Sequence, residues 1–285
     1  RVNRFTINNG QHMAQQHVQV LASIENQYGI DPAILLAIWS VESNYGSALS
    51  NLKRLHFVPH ALATLAYADK RRRKFARSQL IAALKILQSG DISVDQLKGS
   101  WAGAMGHTQF IPTSYQTYAV DMDNDGKRDI WNSIPDALAT AANLLKNNGW
   151  RTGETWGYEV QLPKDGARYD GKTKTFSAWK KLGFFKADQQ PFSQPYKKAM
   201  LKRMSGANQP AFLLMKNFFV IKRYNNSNFY ALTVGLLANR ISKQDGLIQS
   251  WPRPAHSLNS DEKFELQERL KELGYYAGEI DGQIG

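Results

Sequence analysis

Two groups of carboxylates are set apart by their neighbours. Glu42 lies in Asp31-Pro-Ala-Ile-Leu-Leu-Ala-Ile-Trp-Ser-Val-Glu-Ser-Asn-Tyr-Gly46, an otherwise largely apolar stretch. At about 100° per residue, Ile34, Leu35, Ile38, Val41 and Tyr45 share a helix face, and Glu42 falls on it too. A carboxylate in an apolar stripe is costly unless paired or neutralised. Burial favours its protonated form, which suits a general acid near neutral pH. The plainer alternative is that Glu42, one turn from the helix end, reaches water or a lysine; periodicity does not choose between them.

The second group is Asp121-Met-Asp-Asn-Asp-Gly-Lys-Arg-Asp-Ile-Trp-Asn132. Asp121, Asp123 and Asp125 occupy positions one, three and five of a calcium loop, Gly126 makes the turn at six, and Lys127 offers its carbonyl at seven. The twelfth position calls for a bidentate Glu and holds Asn132, so Asp129 or Asp136 must complete the shell. Sodium, or a turn whose Asp side chains bond their own amides, are the other readings.

The elements that must position these groups are mostly helices. Asp31 can cap the Glu42 helix, Pro32 suits its first position, and Asn44-Tyr-Gly46 suits a left-handed stop. Residues 11–28 read as one amphipathic helix; Leu62–Ala68, Ser78–Gln88, Asp136–Asn147 and Phe229–Arg240 as others. Trp101-Ala-Gly-Ala-Met-Gly106 is too Gly-rich for a helix interior and places backbone close to something. Trp156–Leu162 and Phe212–Tyr224 read as strands, with Lys216-Asn217 as a hairpin turn. Residues 163–210 read as a looser polar insertion. Residues 251–260 read as a linker before a short amphipathic helix, Asp261–Leu273, with too few residues after it to bury its apolar face. The expected class is α+β, mainly helical.

The 285 residues suffice for one large or two moderate domains, and 42% apolar with 11% aromatic residues argues against disorder. No run reaches the roughly 18 residues of a membrane helix. The absence of Cys excludes disulfide and thiolate chemistry. A chain that begins at Arg1 with no visible signal peptide is expected of a mature or trimmed form. The net charge of +12 draws polyanions: nucleic acid, anionic membrane or an acidic polysaccharide. The run Lys70–Lys74 reads as a solvated helix face before a phosphate contact.

Four stretches together resemble the B-type lytic murein transglycosylases: Glu42-Ser-Asn-Tyr-Gly46, Trp101-Ala-Gly-Ala-Met-Gly-His-Thr-Gln-Phe-Ile-Pro112, Asp121–Trp131 and Arg223-Tyr-Asn-Asn-Ser-Asn-Phe-Tyr230. The resemblance runs in order from Arg4 to Arg240. It implies a lysozyme-like catalytic core over 1–250, with a small β-containing subdomain at about 151–222. Residues 261–285, after the 251–260 linker, are similar to the first part of a peptidoglycan-binding module. The family's reaction would be cleavage of the β-1,4 bond between N-acetylmuramic acid and N-acetylglucosamine without water, leaving a 1,6-anhydro end. Glu42 matches its single carboxylate, acting as acid and then as base. Ser100 and Gln109 match cleft residues near the acid. Tyr224, Asn225 and Tyr230 match the motif facing it, with core packing as the other reading of the tyrosines. Asp121, Asp123, Asp125 and Asp136 match a structural calcium site. The resemblance further implies peptidoglycan glycan strands as substrate, a monomer, no nucleic-acid partner, and a periplasmic Gram-negative location. It leaves open an outer-membrane anchor in a full-length form and partners among cell-wall synthesis or division proteins. The rival reading is a catalytically inactive peptidoglycan-binding scaffold of the same fold.

Overall fold

The computed structural model describes residues 1–50, 55–204, 210–252 and 257–282. Its helices are Arg4–Gln16 (α1), Val18–Tyr28 (α2), Pro32–Ser43 (α3), Val58–Ala68 (α4), Arg73–Ser89 (α5), Pro112–Tyr118 (α6), Ile134–Asn147 (α7), Phe176–Lys181 (α8), Lys216–Tyr224 (α9), Asn228–Ile241 (α10) and Ser260–Glu272 (α11). Its strands are His56–Phe57 (β1), Lys98–Gly99 (β2), Gly157–Gln161 (β3), Thr173–Thr175 (β4), Phe185–Lys186 (β5), Lys198–Arg203 (β6) and Ala211–Leu214 (β7). The class is α+β and mainly helical. The chain forms two compact units, Met13–Thr152 and Arg1–His12 with Gly153–Gly285.

The first unit is helical apart from the β1–β2 pair. α4 packs on α5, α5 on α6, and both α2 and α3 on α7. The helix expected over 11–28 begins earlier and is interrupted at His17. α3 starts and stops as its sequence dictates: the Asp31 carboxylate accepts from the Ala33 amide at 2.8 Å, and Asn44 ends the helix in the left-handed region. The single apolar stripe expected of it is not what forms. Every residue from Ala33 to Ser40 is buried, so α3 is a core helix covered on all sides. The basic run Lys70–Lys74 is exposed, and Asp69 caps the Arg71 and Arg72 amides while pairing with the Arg72 guanidinium at 2.6 Å.

The second unit is built on a five-stranded antiparallel sheet, ordered β4-β6-β7-β3-β5. Two expectations fail here. Phe212–Tyr224 is a strand followed by a helix, since β7 ends at Leu214 and α9 begins at Lys216. Aromatic and β-branched residues serve either element. Phe218 and Ile221, one turn apart, turn inward, and buried Asn217 donates to the Glu154 carbonyl at 2.7 Å, which no exposed hairpin turn would do. Of the segment expected to be a loose insertion, 205–209 lie outside the described residues; the rest is ordered. Its apolar residues include several large ones, and Phe176, Trp179, Phe184 and Leu201 form a core with Val160 and Leu213. The Trp179 indole donates to the Ala199 carbonyl at 3.0 Å, which satisfies its buried N–H.

Part of the expected 251–260 linker, 253–256, lies outside the described residues, as do 51–54 and 283–285. α11 is closed by a capping box between Asn259 and Glu262. Its apolar face is not left bare: Phe264 is 2% exposed, although Leu273 remains 69% exposed. The cover comes from the other chain end. The Arg4 guanidinium stacks over the Phe264 ring at 4.3 Å and pairs with Glu268 at 2.6 Å, while Asn3 donates to the Asp281 carbonyl at 2.9 Å.

Candidate active site and acidic loop

Glu42 lies in the last turn of α3 and is half-buried. The chain then takes three consecutive left-handed residues, Asn44, Tyr45 and Gly46. Two of them lack the glycine exemption, so this turn is held by its surroundings. The holding group is His107, from the Gly-rich loop. The Ser43 hydroxyl donates to the His107 carbonyl at 2.6 Å and accepts from the Gly46 amide at 3.0 Å. The Trp39 indole donates to His107 Nδ1 at 3.1 Å. A Cβ on Gly46 would stand 2.4 Å from the imidazole, so the ring itself requires glycine there. These bonds fasten the last turn of α3 to the loop that carries Ser100 and Gln109.

Trp39, 1% exposed, is ringed by His17, Tyr45 and His107, all edge-on at 5.5–5.7 Å. Since Nδ1 accepts the indole proton, His107 is held as the neutral tautomer protonated at Nε2. Burial, the largest influence, lowers its pKa, against a smaller upward pull from Asp129. Burial lifts the Tyr45 phenol to about 12 against a hydrogen bond with Ser40, so it stays protonated at neutral pH.

The Gly-rich loop folds on itself. Ser100 is half-buried, and its Oγ accepts from the amides of Ala102 at 3.3 Å and Ala104 at 3.0 Å. With both lone pairs engaged, the hydroxyl is left to donate. Gln109, also half-buried, sits at φ 52, and its Nε2 donates to the Gly106 carbonyl at 2.9 Å, leaving Oε1 as the acceptor. Gly103 and Gly106 meet Leu62 and the Ile130 carbonyl where a Cβ would be, the close approach that the glycines announced.

Tyr224, Asn225 and Tyr230 belong to the sheet-bearing unit. Tyr224 closes α9, and its ring stacks on that of Tyr230 in α10 at 6.3 Å and 11° between planes. Tyr230 is buried and Tyr224 half-buried, which leaves Asn225 as the exposed member.

The acidic loop joins α6 to α7. Carboxylate oxygens of Asp121, Asp123 and Asp136 lie within 4.8 Å of one another. Asp136 is buried at the start of α7, and its two oxygens accept from the amides of Met122 at 2.7 Å and Asp129 at 2.8 Å. Burial, helped by the charge of Asp123, raises its pKa against those hydrogen bonds. Asp125 lies outside the converging set, and its Oδ1 accepts from the amide of exposed Lys127 at 2.8 Å. Asp129 is likewise occupied, by Trp131 and Asn132. An all-oxygen set of three carboxylates, unfavourable to gather without a counter-charge, fits a hard cation such as calcium.

Sequence reading passed over His107, which sits in the middle of a motif quoted for other reasons, and the clamp between Asp91 and Arg128. The Arg128 guanidinium meets buried Asp91 at 2.6 and 3.2 Å and its amide bonds the same carboxylate, so the acidic loop is fastened to the end of α5. Burial alone would raise the Asp91 pKa; the bonds from Arg128 and Ser89 outweigh it and lower it. Only a net charge balance of −1 and +1 some forty residues apart hints at this in the sequence, which is no signal.

Comparison with known proteins agrees with this geometry. A family model described as the transglycosylase SLT domain matches residues 1–239. Membrane-bound lytic murein transglycosylase B of Escherichia coli is 30% identical over 236 residues, 83% of this chain and 64% of the relative; the chain thus spans less than two thirds of that relative's length. SltB3 from Pseudomonas aeruginosa, solved in complex with NAG-anhNAM-pentapeptide, superposes with a TM-score of 0.83 at 42% identity, covering all of this chain and 76% of that one. The Escherichia coli lytic transglycosylase Slt35, solved in complex with calcium, gives 0.73 at 29% identity over 85% of this chain and 76% of that one. With the family model matched across both units, and the Glu42 turn and Gly-rich loop inside the match, the chain belongs to the transglycosylase SLT-domain family and, within it, to the lysozyme-like B-type lytic murein transglycosylases.

Proposed function

We propose that the protein is a peptidoglycan lytic transglycosylase that cleaves the β-1,4 bond between N-acetylmuramic acid and N-acetylglucosamine and leaves a 1,6-anhydro end. The observation that carries this reading is the fastening of the Glu42 turn to the Gly-rich loop through Ser43 and His107. Glu42, as the acid, gives its proton to the glycosidic oxygen while the C1–O bond breaks. Positive charge develops on the muramic ring, and the carboxylate left behind faces it. The C6 hydroxyl then attacks C1, and Glu42 takes that proton as base. The nucleophile is part of the substrate, so a second carboxylate is not required. Ser100, with only its proton to give, donates to the carboxylate or the sugar, and Gln109 accepts from the sugar. We assign Asn225 to an N-acetyl group or a water, and Tyr224 and Tyr230 to the sugar faces.

Asp121, Asp123 and Asp136 would hold calcium, which supplies charge neutralisation in the loop and no step of the reaction. The substrate implies a periplasmic workplace; among the described residues no helix is long and apolar enough to cross a membrane. A digest of purified murein tests the assignment. The wild type is expected to release anhydro-ended muropeptides and Glu42→Gln to release them at least about a thousandfold more slowly, since one group serves as both acid and base. Equal yields would end the role of Glu42. A wild type that binds murein without cleaving it would favour the inactive scaffold.

A further inference from the structure

The charge of this protein is not spread evenly. Residues 163–203 hold eleven Lys and Arg against three Asp and no Glu, a net +8 where the whole chain carries +12. Two of those acids are engaged nearby, Asp170 with Lys202 at 3.7 Å and Asp188 with Lys186 at 3.8 Å. Lys180 and Lys181, in the last turn of α8, are exposed and have no ion-pair partner among the described residues. They stand on the rim of a concavity of about 430 Å³. Its walls are Phe176, Phe192, Pro191 and Pro195, with Ser177 at the edge. The rings of Phe176 and Phe192 stack at 4.6 Å and 9°, so this apolar wall is already formed.

We propose that this concavity binds the stem peptide of peptidoglycan, a short peptide of small aliphatic side chains with free carboxylates; the proposal rests on the function argued above. The chemistry selects this occupant. A glycan strand without its peptides could offer lactyl carboxylates to the two ammonium groups, but its hydroxyl-rich sugars have no alkyl side chains to set against walls of proline and phenylalanine. A lipid surface is broad and flat, and a recess of this size does not match it. A peptide with alkyl groups against proline and phenylalanine, and carboxylates toward Lys180 and Lys181, satisfies both halves of the site. The surrounding positive field reaches about 8 Å at physiological salt and raises the local concentration of such an anion. The site would hold the substrate by its peptide, apart from the sugar chemistry at Glu42.

Isothermal titration of the full chain with the free stem pentapeptide tests this. The wild type is expected to bind, with an affinity that falls as salt rises from about 0.01 to 0.15 M. The double variant Lys180→Gln/Lys181→Gln should bind about tenfold more weakly, the loss of two exposed carboxylate contacts. A peptide with amidated carboxylates should show the same loss against the wild type. Equal affinity of wild type and double variant overturns the proposal. So does an outcome in which the two lysines govern binding to vesicles of anionic phospholipid while the peptide does not bind. A wild type that fails to cleave murein counts against the function itself. Cleavage with unaltered peptide affinity counts against this site alone.

Discussion

His107 shows how one side chain can do three structural tasks. Its carbonyl takes the Ser43 hydroxyl, its Nδ1 takes the Trp39 indole, and its ring fills the space that Gly46 leaves. The second requires an uncharged imidazole, because an imidazolium has no lone pair for the indole. A folded-state pKa below the usual 6.5 means that the unfolded chain binds the proton more readily. Stability from this group is therefore complete above that value and is lost as pH falls through the window beneath it. His17, also lowered by burial, acts in the same direction, whereas Asp136, with a raised pKa, acts in the opposite one. The group is best isolated by difference. Between pH 7 and 5 the wild type should lose more melting temperature than His107→Gln, which starts lower at pH 7. Parallel losses would remove His107 from the account. None of this was legible in the sequence, where His107 is one of six histidines with no pattern to separate it from the rest.

Elements were legible to the degree that their signals were local. Asp31, Pro32 and Asn44 announced both ends of α3, and the glycines of the 101–106 loop announced a close approach that the structure supplies at Leu62 and Ile130. Which face of α3 is buried was not local information, since α7 and its neighbours cover all of it. α9 is ambiguous in the sequence because Phe218–Ile221 is a continuous apolar and aromatic run that suits either element; the inward turn of Phe218 and Ile221 together and the bond from Asn217 to Glu154 decide for a helix. The acidic loop falls between these cases. Its alternating aspartates were visible and so was Asp136 as a candidate to join them; what the sequence left open is that Asp136, from the first turn of α7, converges with Asp121 and Asp123 while Asp125 and Asp129 do not. That arrangement ties any bound cation to the loop and to a core helix together. If calcium binds the native state alone, a concentration about a hundredfold above its Kd stabilises by about 2.7 kcal/mol. Scanning calorimetry should then show a rise in melting temperature with calcium that Asp123→Asn, an exposed position, abolishes. A melting curve indifferent to both chelator and calcium would dismiss the site.

For the whole molecule, the notable fact is where the chain ends go. Arg1–His12 is counted with Gly153–Gly285 in one compact unit, so the start of the first helix, through His12, belongs to the same body as the last helix. Phe264 is the centre of that closure. Arg4 covers its ring, a Cβ on Gly282 would stand 2.7 Å from it, and buried Gln267 accepts from the Gly282 amide at 2.6 Å while donating to Asp281 at 2.9 Å. The segment at Asp281 and Gly282 is thus folded back over α11, and a short segment gains an interior it could not build alone. Truncating a buried Phe removes both its transfer energy and its packing, about 3–5 kcal/mol where the cavity does not collapse. Phe264→Ala should lower the unfolding free energy read from a denaturant titration accordingly, and Arg4→Ala by only about 0.5–1 kcal/mol, the worth of an exposed pair and a cation over a ring. Limited proteolysis supplies the second readout, because an undocked α11 exposes its backbone to cleavage in Phe264→Ala and not in the wild type. A wild type cut within α11 as fast as the variant would mean that the tail is not held by the amino-terminal helix in solution, and the closure would have to be given up.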